Sequence, residues 1–322
     1  MTSSARDLRP DARYRLVVAG VVVIGLLASL VAARFSGAAQ PLEAGLSTAG
    51  PVVRWALPLV RVVHDVAASL TVGALLLAAT MIPGATKAAS AQVEEPRRAA
   101  AMSLAMVAAF VWAIAGAVGV VLWFADLAGV PVSDPSFGVQ FSSTVWAVEP
   151  LRVGLISAIT AALIASVAAL ARARSVAVFL LVASLFAIVV LGLAGHAGGS
   201  ADHETAVNAI AAHLLAATVW VGGLLALIVL RTSIGDALGV VVKRYSSVAL
   251  WCFVTLGISG VMSASTRLDG PSDLTTPYGV LILVKAGAFT LLGIAGWRHR
   301  VSTIKAIDAG DGGRPFLRLA IG

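Results

Sequence analysis

Charge is scarce in this 322-residue sequence: Asp, Glu, Lys and Arg make up 12% of it, against 59% hydrophobic residues. A soluble domain carries about a quarter charged residues, so a water-facing globular chain is excluded. Cysteine occurs once, at Cys252, which excludes an internal disulfide and any metal motif built on a cysteine pair. Long polar stretches are lacking too, so no soluble domain has the residues to form around its own core. Short alternating apolar segments, the mark of a transmembrane barrel, do not occur. Neither does a nucleotide-binding loop, a nucleophile elbow or a zinc-protease motif, and nothing in the sequence reads as an enzyme.

What is present is a series of apolar runs rich in Ala, Leu, Val and Gly, each long enough to cross a bilayer as a helix. They fall at about 15–33, 55–80, 100–125, 151–172, 175–194, 205–230, 245–264 and 277–297, with ends good to a few residues. The fold class is therefore an all-α, polytopic membrane bundle of about eight transmembrane helices. Residues 1–14 form a polar tail, 15–300 the bundle, and 301–322 a tail or the start of a further helix. The first apolar run lacks a small-residue cleavage site and reads as a retained helix, not a removed signal.

The net charge of +7 would raise nucleic acid as a partner for a soluble chain. Here the basic residues sit between apolar runs and alternate in side, the pattern of a topology signal. Arg6, Arg9, Arg13 and Arg15, then Lys87, Arg97 and Arg98, then Arg172 and Arg174, then Arg231, Lys243 and Arg244, and finally Arg298, Arg300, Lys305, Arg314 and Arg318 fall on one side. The other side has Arg34, Arg54, Arg152 and Arg267. Both termini, and the connections at 83–99 and 231–244, are expected in the cytoplasm. The outer connections carry Asp126, Asp134, Glu149, His196, Asp202, His203, Glu204, Asp269 and Asp273, a composition suited to attracting a cation.

One pattern occurs twice. "RVVHDVAASLTVGALLLA" (61–78) aligns with "IAAHLLAATVWVGGLLAL" (210–227), bringing His64 onto His213, Ala67 and Ala68 onto Ala216 and Ala217, and Gly73 onto Gly222. Both runs cross from outside to inside, and each histidine lies about 13 Å down its helix from the outer end. An ionisable side chain is expensive in lipid, so it normally faces the bundle interior and has a task. Neutral imidazole is a common ligand for transition metals. His64 and His213 are thus the core metal candidates, able to share one ion if their helices meet. His196, His203 and the thioether of Met262 are outer candidates. Arg61 and Asp65, four residues apart, are placed to pair, and Lys285 lies at a similar depth; these three are candidate ion-pair or pathway residues. Imidazoles on two helices also suit haem, so a b-type electron-transfer protein is the rival reading.

The later segments "HLLAATVWVGGLLAL" (213–227), "RYSSVALWCFVTLGISGVMSA" (244–264) and "TPYGVLILVKAGAFTLLGIAGWRHR" (276–300) resemble the CopD family of bacterial copper-resistance membrane proteins. The resemblance covers roughly residues 205–300, with the earlier spans similar only in general character. It implies an inner-membrane, multi-pass protein that binds a copper ion and moves it across the plasma membrane, in contact with lipid and with a periplasmic or extracellular copper-binding protein. It marks His213, Trp220, Gly222, Gly223, Tyr278, Gly279 and Lys285. Some relatives resemble fusions to a cytochrome c oxidase assembly domain, which implies a copper-holding assembly factor as a further alternative. Together with the helix-like "RPFLRLAIG" at 314–322, this leads to the expectation that the chain continues beyond Gly322.

The charge pattern makes a topological prediction. A cysteine introduced at Ser200 should react with an impermeant thiol reagent in intact cells, while one in the 231–244 segment should react only after lysis. The opposite labelling would reverse the orientation.

Overall fold

Two glycines decide how the helices assemble. In the computed structural model, which describes residues 19–20, 23–27, 49–84, 88–194, 203–265, 268 and 270–308, helix α1 (Pro51–Leu76) crosses helix α6 (His203–Ile234) where Gly73 meets Gly222. A Cβ on Gly73 would overlap the Gly222 carbonyl, and one on Gly222 would overlap the Ser69 carbonyl. The two backbones therefore touch. Lipid offers apolar helices no hydrophobic reason to associate, so close backbone approach at small residues is what drives packing in a membrane.

The remaining helices are α2 (Ala88–Ala128), α3 (Phe137–Thr144), α4 (Glu149–Leu170), α5 (Arg174–Ala194), α7 (Leu238–Ser265) and α8 (Pro277–Asp308). They pack in the spatial order α4, α2, α1, α6, α7, α8, and α5 lies against α1, α4 and α6. No strand occurs among the described residues. The main core fills the space around α1, with Trp112, Leu75, Leu77, Ile82, Met102, Ile164 and Leu227 almost fully buried. Met81 and Met102 are buried packing residues, and Met106 packs beside them. Outward-facing Phe110, Phe179, Phe186, Trp251 and Leu292 are exposed, as lipid-facing positions of a bundle should be.

Several boundaries differ from the sequence reading. The segment 83–99 is mostly helix, because α2 starts at Ala88. The segment 231–244 is helical except for a 3₁₀ turn at Gly235–Ala237, where one helix passes into the next. The outer segment 126–150 holds α3, anchored by Phe124, Phe137 and Phe141, whose ring centroids lie 5.1–6.1 Å apart. The run predicted at 15–33 is helical at residues 19–20 and 23–27; the rest lies outside the described residues.

One end of the bundle is held by arginine. Helix α1 ends in a π-helical turn, Leu77–Met81. The carbonyls of Ala79 and Met81 accept from Arg174 Nε (2.7 Å) and Arg244 Nη1 (2.8 Å). Arg172 Nη1 donates to the Ala99 carbonyl and Ser103 Oγ, Arg300 Nη1 donates to the Ser246 carbonyl, and Arg97 pairs with Asp236. Carbonyls at a helix C-terminus carry partial negative charge and lack intrahelical donors. Cations are therefore stabilised at the end of α1, and Arg174 and Arg244, two of the basic residues that mark topology in the sequence, fasten it.

The glycine contact can be tested. Gly73→Val should destabilise the protein by about 3 kcal/mol or more, at or beyond the upper end for overpacking because backbone cannot yield as a side chain does. Gly287→Ala, where an added Cβ has nothing within 4 Å, should change little. Thermal unfolding in detergent reads both; equal effects would refute the contact.

Candidate metal centre

His64 sits on the face of α1 turned towards α2. Its Nε2 accepts from Trp112 Nε1 at 2.9 Å, and its Nδ1 lies 2.9 Å from Asp65 Oδ1. Indole N–H only donates, so the ring proton belongs to Nδ1 and is donated to the carboxylate. Arg61 Nε follows, 3.9 Å from Asp65 Oδ2, which is the predicted pair. Exposure falls along the row: Arg61 is 83% exposed, Asp65 61% and His64 15%. Trp112 is fully buried and meets the imidazole edge-on.

This row lines a cavity of about 720 Å³ between α1, α2 and α4. Its walls include Arg61, His64, Asp65, Trp123, Asp126 and Gly154. Small residues make the room: a Cβ on Gly116 would already touch Ala158 and approach the His64 ring. Asp126 adds a carboxylate from the C-terminal end of α2.

His213 sits in a second setting. Its Nδ1 lies 3.1 Å from Ser259 Oγ on α7, and that hydroxyl donates to the Leu256 carbonyl. The hydroxyl therefore accepts from Nδ1–H, and the His213 lone pair is again on Nε2. Lys285 on α8 is exposed. Met262 is half-buried on α7. His203 opens α6, but its side chain lies outside the described residues, as does all of His196.

Helix geometry sets how the two imidazoles face. Each histidine precedes its crossing glycine by nine positions, which is two and a half turns at about 100° per residue. Gly73 faces α6 and Gly222 faces α1, so His64 and His213 point to opposite sides of the crossed pair. The helices do meet, but the histidines face away from the contact. Among the described residues, no group of three or more His, Cys, Asp or Glu side chains forms a ready metal cage.

The residues that the sequence reading missed are the histidines' partners. Trp112 follows His64 by 48 residues and Ser259 follows His213 by 46. No signal in the repeat pointed to them, because the aligned segments end at 78 and 227 and the partners lie on the following helices.

A family model described as copper resistance protein D matches residues 239–321, and one described as copper resistance protein D-like, N-terminal domain, matches residues 46–205. The chain belongs to the copper resistance protein D family. It is a copper-resistance membrane protein, multi-pass in the plasma membrane, and its family is not a known enzyme family. No curated protein and no solved structure matches it. The match reaches well before residue 205 and includes His64 and Trp112, so the first half resembles this family in more than general character. The stretch from 206 to 238, which carries His213, lies between the two matched regions.

Several residues that the resemblance marked have structural work in this CopD-family chain. The Trp220 carbonyl accepts from the buried Tyr245 hydroxyl, and its ring meets Phe253 edge-on. A Cβ on Gly223 would strike the Tyr245 ring. Thr276 caps α8: its Oγ1 accepts from the Gly279 N–H at 3.1 Å, with Pro277 first in the helix, a favoured arrangement at a helix start. Gly279 packs against the backbone of Asp273 and Leu274. Two carboxylates outside the long helices also tie down turns. Asp134 accepts from the Ser136 hydroxyl and N–H, which hold its carboxyl below the usual carboxylate range, and Asp273 accepts from the Gly270 N–H.

Trp112→Phe keeps an aromatic ring but removes the donor to His64. Leaving a buried acceptor unpaired costs about 1–3 kcal/mol, so the melting temperature should fall. The ¹⁵N resonance of His64 Nε2 should shift as its bond is lost. An unchanged resonance would mean that the indole does not hold the ring.

Proposed function

We propose that this CopD-family protein binds copper through its intramembrane histidines and carries it across the plasma membrane. One observation supports this reading above the others. Both imidazoles are held through Nδ1–H by a neighbouring oxygen, Asp65 Oδ1 for His64 and Ser259 Oγ for His213. Metal-ligating histidines are oriented in this way, with the second nitrogen donating so that the first presents its lone pair to the ion. Copper is the cargo, and Nε2 of each ring is its ligand atom.

The cavity supplies a way in. Asp126 and Asp65 attract a cation from the outer side, and the low-charge walls focus their field. His64 waits at its inner limit, its lone pair covered by the Trp112 N–H until copper replaces that donor. Arg61 keeps Asp65 in place without entering the ring's reach. On the far side of the crossing, Lys285 places a positive charge near His213, which weakens the hold on a cation and favours its release. His196 and His203 are proposed as outer ligands that deliver copper to the cavity, and Met262 as a soft thioether ligand near His213.

The test is copper binding by the purified full chain in detergent. The wild type should bind copper and show no Soret band in the visible spectrum. The double variant His64→Ala, His213→Ala should fold and lose copper binding by at least tenfold in affinity. A double variant that binds copper at wild-type stoichiometry and affinity would overturn the assignment, and a Soret band in the purified protein would favour haem.

A further inference from the structure

We infer that the chain holds two separate copper stations, one in each repeat, and not one ion shared by the two histidines. The inference rests on the reading above that these imidazoles bind copper. Its own basis is the geometry of the repeat.

The two halves are also arranged alike, with the following helix packed on each histidine helix. In the first half, α1 presents His64 to Trp112 on α2. In the second half, α6 presents His213 to Ser259 on α7. Each half is thus a histidine helix with the next long helix packed on its outer flank. The halves join back to back through Gly73 and Gly222. Because nine residues turn a helix through two and a half revolutions, each ring lies on the flank opposite that joint. With helix axes about 8 Å apart and both side chains extending outward, the Nε2 atoms are on the order of 15 Å or more apart. A single ion needs both nitrogens at about 2 Å. Bringing them together would require α1 and α6 each to rotate by roughly half a turn, and the glycine joint has no room for that, since any side chain turned into it meets backbone.

The two stations differ in chemistry. The first opens on the cavity and is flanked by Asp65 and Asp126, oxygen ligands that suit a harder, more charged ion. Among the described residues, the hydrogen-bond partner of His213 is the Ser259 hydroxyl and not a carboxylate. The second station has Met262 three residues beyond Ser259, on the same face of α7, and sulfur suits Cu(I). The order along the chain's two halves is therefore an oxygen-flanked entry station and a softer second station, joined by no shared ligand.

Stoichiometry and ligand count decide this. The full wild-type chain in detergent, loaded with copper alone and freed of excess, should hold two ions per chain at its tight sites. His64→Gln and His213→Gln should each hold one, and the double variant none, so that the losses add as they do for independent sites. Circular dichroism and gel filtration check that each variant folds. On the Cu(II)-loaded wild type, electron spin-echo modulation should count one imidazole per copper. One ion per chain, lost on changing either histidine and showing two imidazoles, would overturn the inference while leaving the proposed function intact. A wild type that binds no copper would overturn both.

Discussion

The contact between Gly73 and Gly222 is the constraint on which the rest of the bundle depends. It replaces two side chains with backbone against backbone, and so brings α1 and α6 closer than any other residue type allows. The flanking helices then have fixed places: α2 and α4 on the outer flank of α1, α7 and α8 on the outer flank of α6. A larger residue at either glycine would push the two backbones apart at the crossing. The joint also governs chemistry, since it fixes the rotation of both helices and with it the direction in which each imidazole faces.

The two ends of the bundle use charge differently. At the basic end, arginines from α5 and α7 close the π-helical turn that finishes α1, by bonding the carbonyls of Ala79 and Met81. That end is fastened. At the other end, Arg61, Asp65 and Asp126 line an open cavity, and the most buried member of the row is His64. The cavity end thus gathers carboxylates around a nitrogen ligand, while at the far end the guanidinium groups of Arg174 and Arg244 are occupied by backbone carbonyls. This arrangement suits a protein whose family handles copper in a membrane.

The motifs that carry the family resemblance divide into two kinds. Gly222, Gly223 and Gly279 are close-approach positions, and the Trp220 carbonyl anchors Tyr245. These preserve shape. His213 and Lys285 are the members with chemistry to offer. Trp112, which no motif singled out, holds the nitrogen on which the reading of the first half turns. A motif read as chemistry can thus be packing, and a residue read as packing can set a ligand's tautomer.

The sequence by itself determined the fold class, because long apolar runs must satisfy their backbone internally and helices do so within each run. It determined that basic residues would gather at one end, because lysine and arginine resist crossing lipid. It also determined the pairing of Arg61 with Asp65, since residues four apart share a helix face. Even the opposed facing of the histidines was latent in the nine-residue spacing from His64 to Gly73 and from His213 to Gly222. What no spacing revealed was which residue of each helix would face the other helix. Only the tertiary structure decided that, through the glycine joint. It alone supplied Trp112 and Ser259 as partners, because a hydrogen bond spanning 46 or 48 residues depends on how two helices pack and not on either helix alone. The cavity beside His64 has the same origin: it exists where α1, α2 and α4 diverge beside small residues, and divergence belongs to the assembly of helices.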